Sequence, residues 1–349
     1  MYKLTIFDYY INMKKILNNK YSILIPILTL NIISIIYLSK TNYILKHSIY
    51  IIISYLVIFI TSKINYKTIL KYSNLLYIIS IILLIIVLII GKEINGAKAW
   101  LHIFGISIQP SEIAKLSLVL YISNLAIKNK GFIPIFIITL IPSILTFLEP
   151  DTGAIIFYLI ILTSVLKYIK LNKKIITLLL ILLSLFITIN FSLYFINKDI
   201  LINIYGTKLF YRIDRLISFK NQNNIQNTNS LISIGSHNLI YIPENHNDFI
   251  FASIISKYPI FFPIILISYI FIFTYYIKRI IKKKNISNII NTIILNMLLV
   301  QTFYNILMNL SLVPIIGIPL PFISYGGSYL VTLYILIGIS ININNSKVV

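Results

Sequence analysis

Three of the nine carboxylates stand close in sequence to other groups that could do chemistry. Glu112 and Lys115 are three residues apart in 108–115 (IQPSEIAK), so they share one face of a helix that begins after Pro110. Gln109 and Pro110 break the chain ahead of that helix, and Ser111 is placed to cap its first turn. Charges at membrane depth are costly and are usually paired or functional, so this pair is either a local ion pair or part of a polar site. Glu244, His246 and Asp248 cluster in 243–248 (PENHND), just before an apolar stretch. On residue types alone they read first as an ordinary solvated acid cluster, with a catalytic group as the lesser alternative. The four histidines (His47, His102, His237 and His246) are scattered, which argues against a zinc cluster, and the absence of cysteine excludes disulfides and thiolate-held metals.

The elements that must position these groups are membrane spans. The chain is 58% hydrophobic and only 11% charged, too few charges for the shell of a soluble protein of this length. Its apolar residues come in runs near the 20 residues that cross a hydrocarbon core about 30 Å thick. Ten spans are expected at 22–39, 47–61, 72–90, 111–127, 132–148, 154–166, 175–196, 259–277, 286–310 and 327–343. The sixth is the short one. The fold class is therefore an all-α polytopic membrane protein, one integral domain over 1–349 with no internal repeat, and no cleavable signal peptide precedes Tyr21.

Every second connection is basic. Lys14, Lys15 and Lys20 precede the first span, and Lys63, Lys67 and Lys71 follow the second. Lys128 and Lys130 follow the fourth, Lys167, Lys170, Lys173 and Lys174 the sixth, and Lys278, Arg279, Lys282, Lys283 and Lys284 the eighth. The positive-inside rule places these connections and both termini in the cytoplasm. It also accounts for the formal charge of +21 without nucleic acid as a partner. Of the acids only Asp8 falls on the cytoplasmic side. Glu93, Glu112, Glu149, Asp151, Asp199, Asp214, Glu244 and Asp248 lie at or beyond the outer span ends. That asymmetry fits an outward-facing polar site or a plain absence of acids from basic loops. The long hydrophilic segment 197–248, between spans seven and eight, reads as an extracytoplasmic loop whose Asn- and Gln-rich middle, 221–229, is disordered.

Four segments are similar to the SEDS glycosyltransferase family (RodA and FtsW types), in the family's order. They are NGAKAW at 95–100 with IQPSEIAK at 108–115, LEPDTG at 148–153, IPENHNDFIFA at 242–252, and GIPLPFISYGGS at 317–328. Tyr211, Arg215 and Phe219, and Gln301 with Asn305, are weaker matches. The Gly-x-Pro-Leu-Pro form of the last segment and the short N-terminal tail resemble the RodA type more than the FtsW type. The chain departs from the family pattern in a shortened stretch before Pro243, in Asn247 where threonine is usual, and in Ser256 and Lys257 where an acidic pair is usual.

The resemblance implies a peptidoglycan glycosyltransferase that polymerises lipid II on the outer face of the bacterial inner membrane during cell elongation. It implies that Asp248 is the essential carboxylate, acting as general base on the acceptor hydroxyl, with inversion in one displacement. Glu112, Lys115, Lys98, Arg215, Glu244, His246, Gln109 and Ser324 become candidate substrate-binding residues, with Lys98, Lys115 and Arg215 facing the leaving pyrophosphate. For each of these cations an anchoring role at the headgroup level is an alternative. Glu244 or Glu112 as a nucleophile stays open. A class B penicillin-binding transpeptidase is the implied partner, and a divalent cation assisting the pyrophosphate is compatible with the sequence, which defines no cage for it. The rival readings are a flippase or transporter of the lipid-linked precursor and a scaffold that has lost catalysis.

Overall fold

The computed structural model describes residues 19–94, 97–103, 105–169, 173–217, 225–238, 240–282 and 288–343, with the backbone alone at 211–217. Asp8, Lys14, Lys15, Asn95, Lys170, Phe219, Lys283 and Lys284, used in the sequence reading, lie outside the described residues, as do the side chains of Lys173, Tyr211, Asp214, Arg215 and Lys282.

Every expected span is a helix: α1 (Leu24–Leu38), α2 (Ile44–Lys63), α4 (Ser73–Ile90), α5 (Pro110–Ile127), α6 (Phe132–Leu148), α7 (Thr152–Val165), α8 (Lys173–Ile196), α12 (Phe261–Lys282), α13 (Ile289–Asn309) and α14 (Gly327–Ile343). Among the described residues α2, α4, α12 and α13 are long and apolar enough to cross a membrane by length and composition, and α1, α6, α7 and α14 are shorter apolar helices. The short sixth span gains a 3-10 turn at Leu166–Tyr168.

The bundle surface is apolar, and buried polar groups are gathered among its largely apolar core. Peripheral α4 exposes Leu75, Ile78, Ile82, Ile85, Ile89 and Ile90 and buries Ser73 and Ser80. Central α5 and α13 bury Glu112, Lys115, Ser117, Asn124, Gln301, Thr302, Asn305 and Asn309. Lipid solvates isoleucine and leaves polar groups to find partners inside the protein. Two glycines on α14 permit its close approach to α2. A Cβ at Gly338 would run into Thr61 and the Ile58 carbonyl, and one at Gly327 into the Tyr50 ring.

Two features were not anticipated. Between α4 and α5 lies a three-stranded antiparallel sheet of β1 (Lys92–Ile94), β2 (Ala97–Ile103) and β3 (Ile106–Ile108), in the order β1-β2-β3. Lys92 faces Trp100, Leu101 faces Ile108, and Gly105 turns the second hairpin at φ +81°. Its signal was a period of two: Ala99 and Leu101 are buried and His102 is exposed.

The second is that the segment 197–248, expected to be a loop, carries α9 (Lys198–Ile217) and α10 (Ile225–Ser236), followed after irregular backbone at 240–249 by α11 (Ile250–Lys257). Gly206, at φ 75° and ψ 161°, breaks α9. The part of 221–229 that is described, from Ile225, is helical rather than disordered. Its buried face is polar, at Asn227, Ser230 and Ser233, so hydropathy misses it. The Ser230 hydroxyl donates to the Asn309 carbonyl at 2.6 Å and the Ser311 hydroxyl to the Asn227 carbonyl at 3.3 Å. The remaining short helix is α3 (Tyr66–Lys71), between α2 and α4.

Candidate functional site

Asp248 is held by its backbone. Its carbonyl accepts from Asn305 Nδ2 at 2.9 Å and Asn309 Nδ2 at 3.0 Å, two side chains one turn apart on α13. Asn305 Nδ2 also donates to the Ile318 carbonyl at 2.8 Å, and Asn309 Oδ1 accepts the Ala252 amide at 3.0 Å. The neighbouring residues are tied across to the segment 317–326. The Ser324 hydroxyl donates to the Asn247 carbonyl at 2.7 Å, and the Tyr325 amide donates to the His246 carbonyl at 3.0 Å. Buried Ile242 and Phe249 flank the loop.

The Asp248 carboxyl lies against Gly317. A Cβ there would stand 3.4 Å from Oδ2, and Gly317 has φ +76°, which suits glycine. Oδ1 is shut off from solvent and has no hydrogen-bond partner among the described residues. Burial, with the Glu244 charge adding to it, pushes this carboxyl up to about 7.

The segment 317–326 is irregular backbone inside a helical bundle, and side chains from several helices satisfy it. Asn31 donates to the Phe322 carbonyl at 2.8 Å, Ser34 to the Ile323 carbonyl at 2.6 Å, and the Tyr269 hydroxyl to the Pro321 carbonyl at 2.5 Å. Ser324 Oγ accepts the Leu320 amide at 2.7 Å. Pro319 and Pro321 bring no amide to satisfy. Fully buried Phe322 sits at φ +65°, strain on the order of 1–3 kcal/mol for a bulky residue, which this web of contacts holds in place.

The second cluster centres on α5. Lys115 Nζ and Glu112 Oε1 form an ion pair at 2.6 Å, both side chains nearly buried. The Thr332 hydroxyl lies 3.5 Å from Glu112 Oε2, and the ammonium stands 4.6 Å from the Phe157 ring centroid. These groups line a small cavity of about 20 Å³, room for roughly one water, together with Gln301 and Tyr329. Gln301 stands four residues before Asn305, so α13 carries the cavity wall on one turn and the support of Asp248 on the next.

Asp151 ties the start of α5 to the start of α7. Its Oδ2 accepts from Gln109 at 2.9 Å and from Ser111 at 3.0 Å, and its Oδ1 caps α7 through the Ala154 amide at 3.2 Å. Ser111 therefore does not cap α5. It stands inside the helix after Pro110, and its hydroxyl is drawn to Asp151. At Gly153 a Cβ would lie 3.5 Å from the Ile316 carbonyl and 3.6 Å from that of Gly317, so LEPDTG and Asp248 meet the same glycine. Neighbouring Glu149 is buried with neither oxygen hydrogen-bonded among the described residues. Burial, then the nearby Asp151, pushes its carboxyl up to about 8.

Glu244, His246, Asp248 and Ser324 are thus brought together, Glu112 and Lys115 line the cavity, and Gln109 is held by Asp151. Lys98 goes elsewhere. Its Nζ donates to the Leu88 and Ile89 carbonyls at 2.9 and 2.8 Å and so closes the C-terminal end of α4. Arg215 is placed on α9 by its backbone alone. Glu244 adopts φ +59°, with Oε2 3.8 Å from His246 Nε2. Burial lowers the pKa of His246, and the Glu244 charge opposes that shift. Sequence reasoning missed Asn309, Asn31, Tyr43 and Glu149. For Asn309 the signal was a second asparagine four residues after Asn305 in an apolar span, and Tyr43 had no signal at all.

Comparison with known proteins places the chain in a family and supports its fold. The sequence model of the FTSW_RODA_SPOVE family, described as "Cell cycle protein", matches residues 17–348. The "Probable peptidoglycan glycosyltransferase FtsW" of Wigglesworthia glossinidia brevipalpis is 33% identical over 329 residues, covering 85% of this chain and 82% of its own. The protein of the same name from Bacillus subtilis is 29% identical over 297 residues, covering 78% and 73%. Among solved structures, a chain from work on "structural coordination of polymerization and crosslinking by a peptidoglycan synthase complex" superposes with TM-score 0.76 at 20% identity, covering 93% of this chain and 97% of that one. The rod shape determining protein RodA of Thermus thermophilus gives TM-score 0.68 at 19% identity over 93% and 96%. At these identities the structures speak for the fold.

Proposed function

The chain belongs to the FTSW_RODA_SPOVE family of cell cycle proteins, and from that membership we propose that it is a peptidoglycan glycosyltransferase that polymerises lipid II, with Asp248 as general base. The observation that carries the reading is a half-buried carboxyl with one oxygen closed off and unpartnered among the described residues, fixed where three of the family-like segments converge on Gly317. Asp248 takes the proton of the acceptor sugar hydroxyl, that oxygen attacks the anomeric carbon, and the lipid pyrophosphate leaves. One displacement inverts the anomeric carbon.

The departing charge needs a cation. Arg215 is one candidate and Lys115 another, which would have to leave its ion pair with Glu112 to serve, while the contacts of Lys98 favour its structural role. Glu244, His246 and Gln109 line the approach, and Ser324 acts as an internal brace. A divalent cation assisting the pyrophosphate would draw on phosphate oxygens, since among the described residues no three His, Asp or Glu side chains gather into a cage.

The connections bearing Tyr43, Asp151, Asp248 and Gly317 meet at one end of the bundle. By the basic connections at the other end, this is the extracytoplasmic face of the inner membrane, with both termini in the cytoplasm. A class B transpeptidase is the partner we propose, in keeping with the pairing of polymerisation and crosslinking named for the structural relative. The Gly317-to-Pro321 form favours an elongation role of the RodA type. A second reading, a division role, is favoured by the FtsW names of the curated relatives. Depletion in the source cell separates them, rounding marking elongation and filamentation marking division.

The decisive test is Asp248→Asn in purified, detergent-solubilised protein supplied with lipid II and the transpeptidase. Loss of glycan polymer with the fold intact supports the enzyme. Undiminished polymer overturns Asp248 as base, and a wild type that moves lipid II but builds nothing supports a flippase.

A further inference from the structure

An aromatic cluster that the proposed chemistry does not use stands beside Asp248. Tyr43, at the start of α2, lies nearly parallel to the His246 ring, with centroids 4.1 Å apart and planes 11° from parallel. Tyr325 closes the group, 5.0 Å from Tyr43 and 5.8 Å from His246. The three rings come from three separate connections, which meet only in the folded chain. Two of them are fixed by the web around Asp248, because the Tyr325 amide donates to the His246 carbonyl two residues before the carboxylate.

This is not closed core packing. Tyr43 keeps 38% of its surface exposed and the His246 side chain 19%, so the stack opens outward at the rim of the site. Burial lowers the pKa of His246 and favours its neutral form, with the Glu244 carboxylate 3.8 Å from Nε2 opposing that, and the cluster presents flat, polarisable faces. Such faces suit a ring that is apolar on its C–H side and polar at its edge, as a pyranose is. An anionic pyrophosphate would gain little there.

We propose that Tyr43, backed by His246 and Tyr325, is a platform for a sugar ring of the lipid-linked disaccharide, holding it beside Asp248. The inference rests on the glycosyltransferase reading for the identity of the sugar and is separable from it by experiment. Binding of lipid II and of undecaprenyl pyrophosphate, which lacks the sugars, is measured on the detergent-solubilised full chain. Tyr43→Ala is expected to weaken lipid II about tenfold, the scale of one aromatic contact, and to leave undecaprenyl pyrophosphate unchanged. Tyr43→Phe is expected to stay within about twofold of wild type. Tyr43→Leu keeps the bulk without the aromatic face, serves where the alanine variant folds poorly, and is expected to behave as alanine does. Unchanged lipid II binding in Tyr43→Leu, or an equal loss for both lipids, overturns the platform. Asp248→Asn should still bind lipid II, so a failure of polymerisation with binding intact counts against the base and not against the platform.

Discussion

The Asp248 loop and the Glu112–Lys115 pair are both ionisable sites buried in an apolar bundle, and they resolve the cost of burial in opposite ways. At α5 two opposite charges neutralise each other at 2.6 Å, with Thr332 and the Phe157 ring around them. At Asp248 the protein satisfies the backbone carbonyl twice over and leaves carboxyl Oδ1 unpartnered, so the group stays closer to its neutral form. A paired charge is electrostatically quiet. An unpaired carboxyl fixed at the backbone is free to accept a proton from something that arrives. The architecture separates the tasks, with one site holding charge in place and the other ready to exchange it.

Three changes test this contrast, beginning with the largest. Asp248→Asn should lower polymerisation by about 10²–10⁴-fold, the range of general-base catalysis, with little change in thermal stability. Run across pH, the wild-type rate should climb through about pH 7, because the base acts only when ionised and its carboxyl is held near that value. A rate already level from pH 5 would contradict the buried, unpaired state of Asp248.

Next, Lys115→Met leaves Glu112 buried without its partner and should destabilise the protein by about 3–5 kcal/mol, whereas Glu112→Gln combined with Lys115→Met should recover most of the loss. Thermal unfolding in detergent reads this out. Equal destabilisation in the single and double variants would mean that the pair is not the compensated unit it is taken to be. Smallest is Asn309→Ala, which removes the bonds to the Asp248 carbonyl and the Ala252 amide. It should cost about 1–3 kcal/mol of stability and lower kcat more than it raises KM, since it loosens the base and not the substrate. Rescue by Asn309→Gln would point to bulk polarity in place of a fixed bond.

The ten helices were legible because a hydrocarbon slab demands about 20 apolar residues per crossing and composition records that demand directly. Glu112, Lys115, Glu244, His246 and Asp248 were legible because ionisable side chains in such a chain are conspicuous. What hydropathy could not reveal was the polar packing. The buried face of α10 is made of asparagine and serine, the sheet β1–β3 is only a few residues per strand, and Lys98 resembles an anchor for phosphate until its ammonium is found on the end of α4.

By itself the sequence determined the membrane character, the number of spans and the identities of the groups able to hold or move a proton, all of which follow from local composition. Tertiary structure decided which of those groups meet. That Gly317 receives both Asp248 and Gly153, that Asn305 and Asn309 grip one carbonyl, and that Tyr43 lies on a histidine some 200 residues away depend on helix packing. Contacts of that kind arise from many weak preferences satisfied together across the bundle, and no single stretch of the chain encodes them.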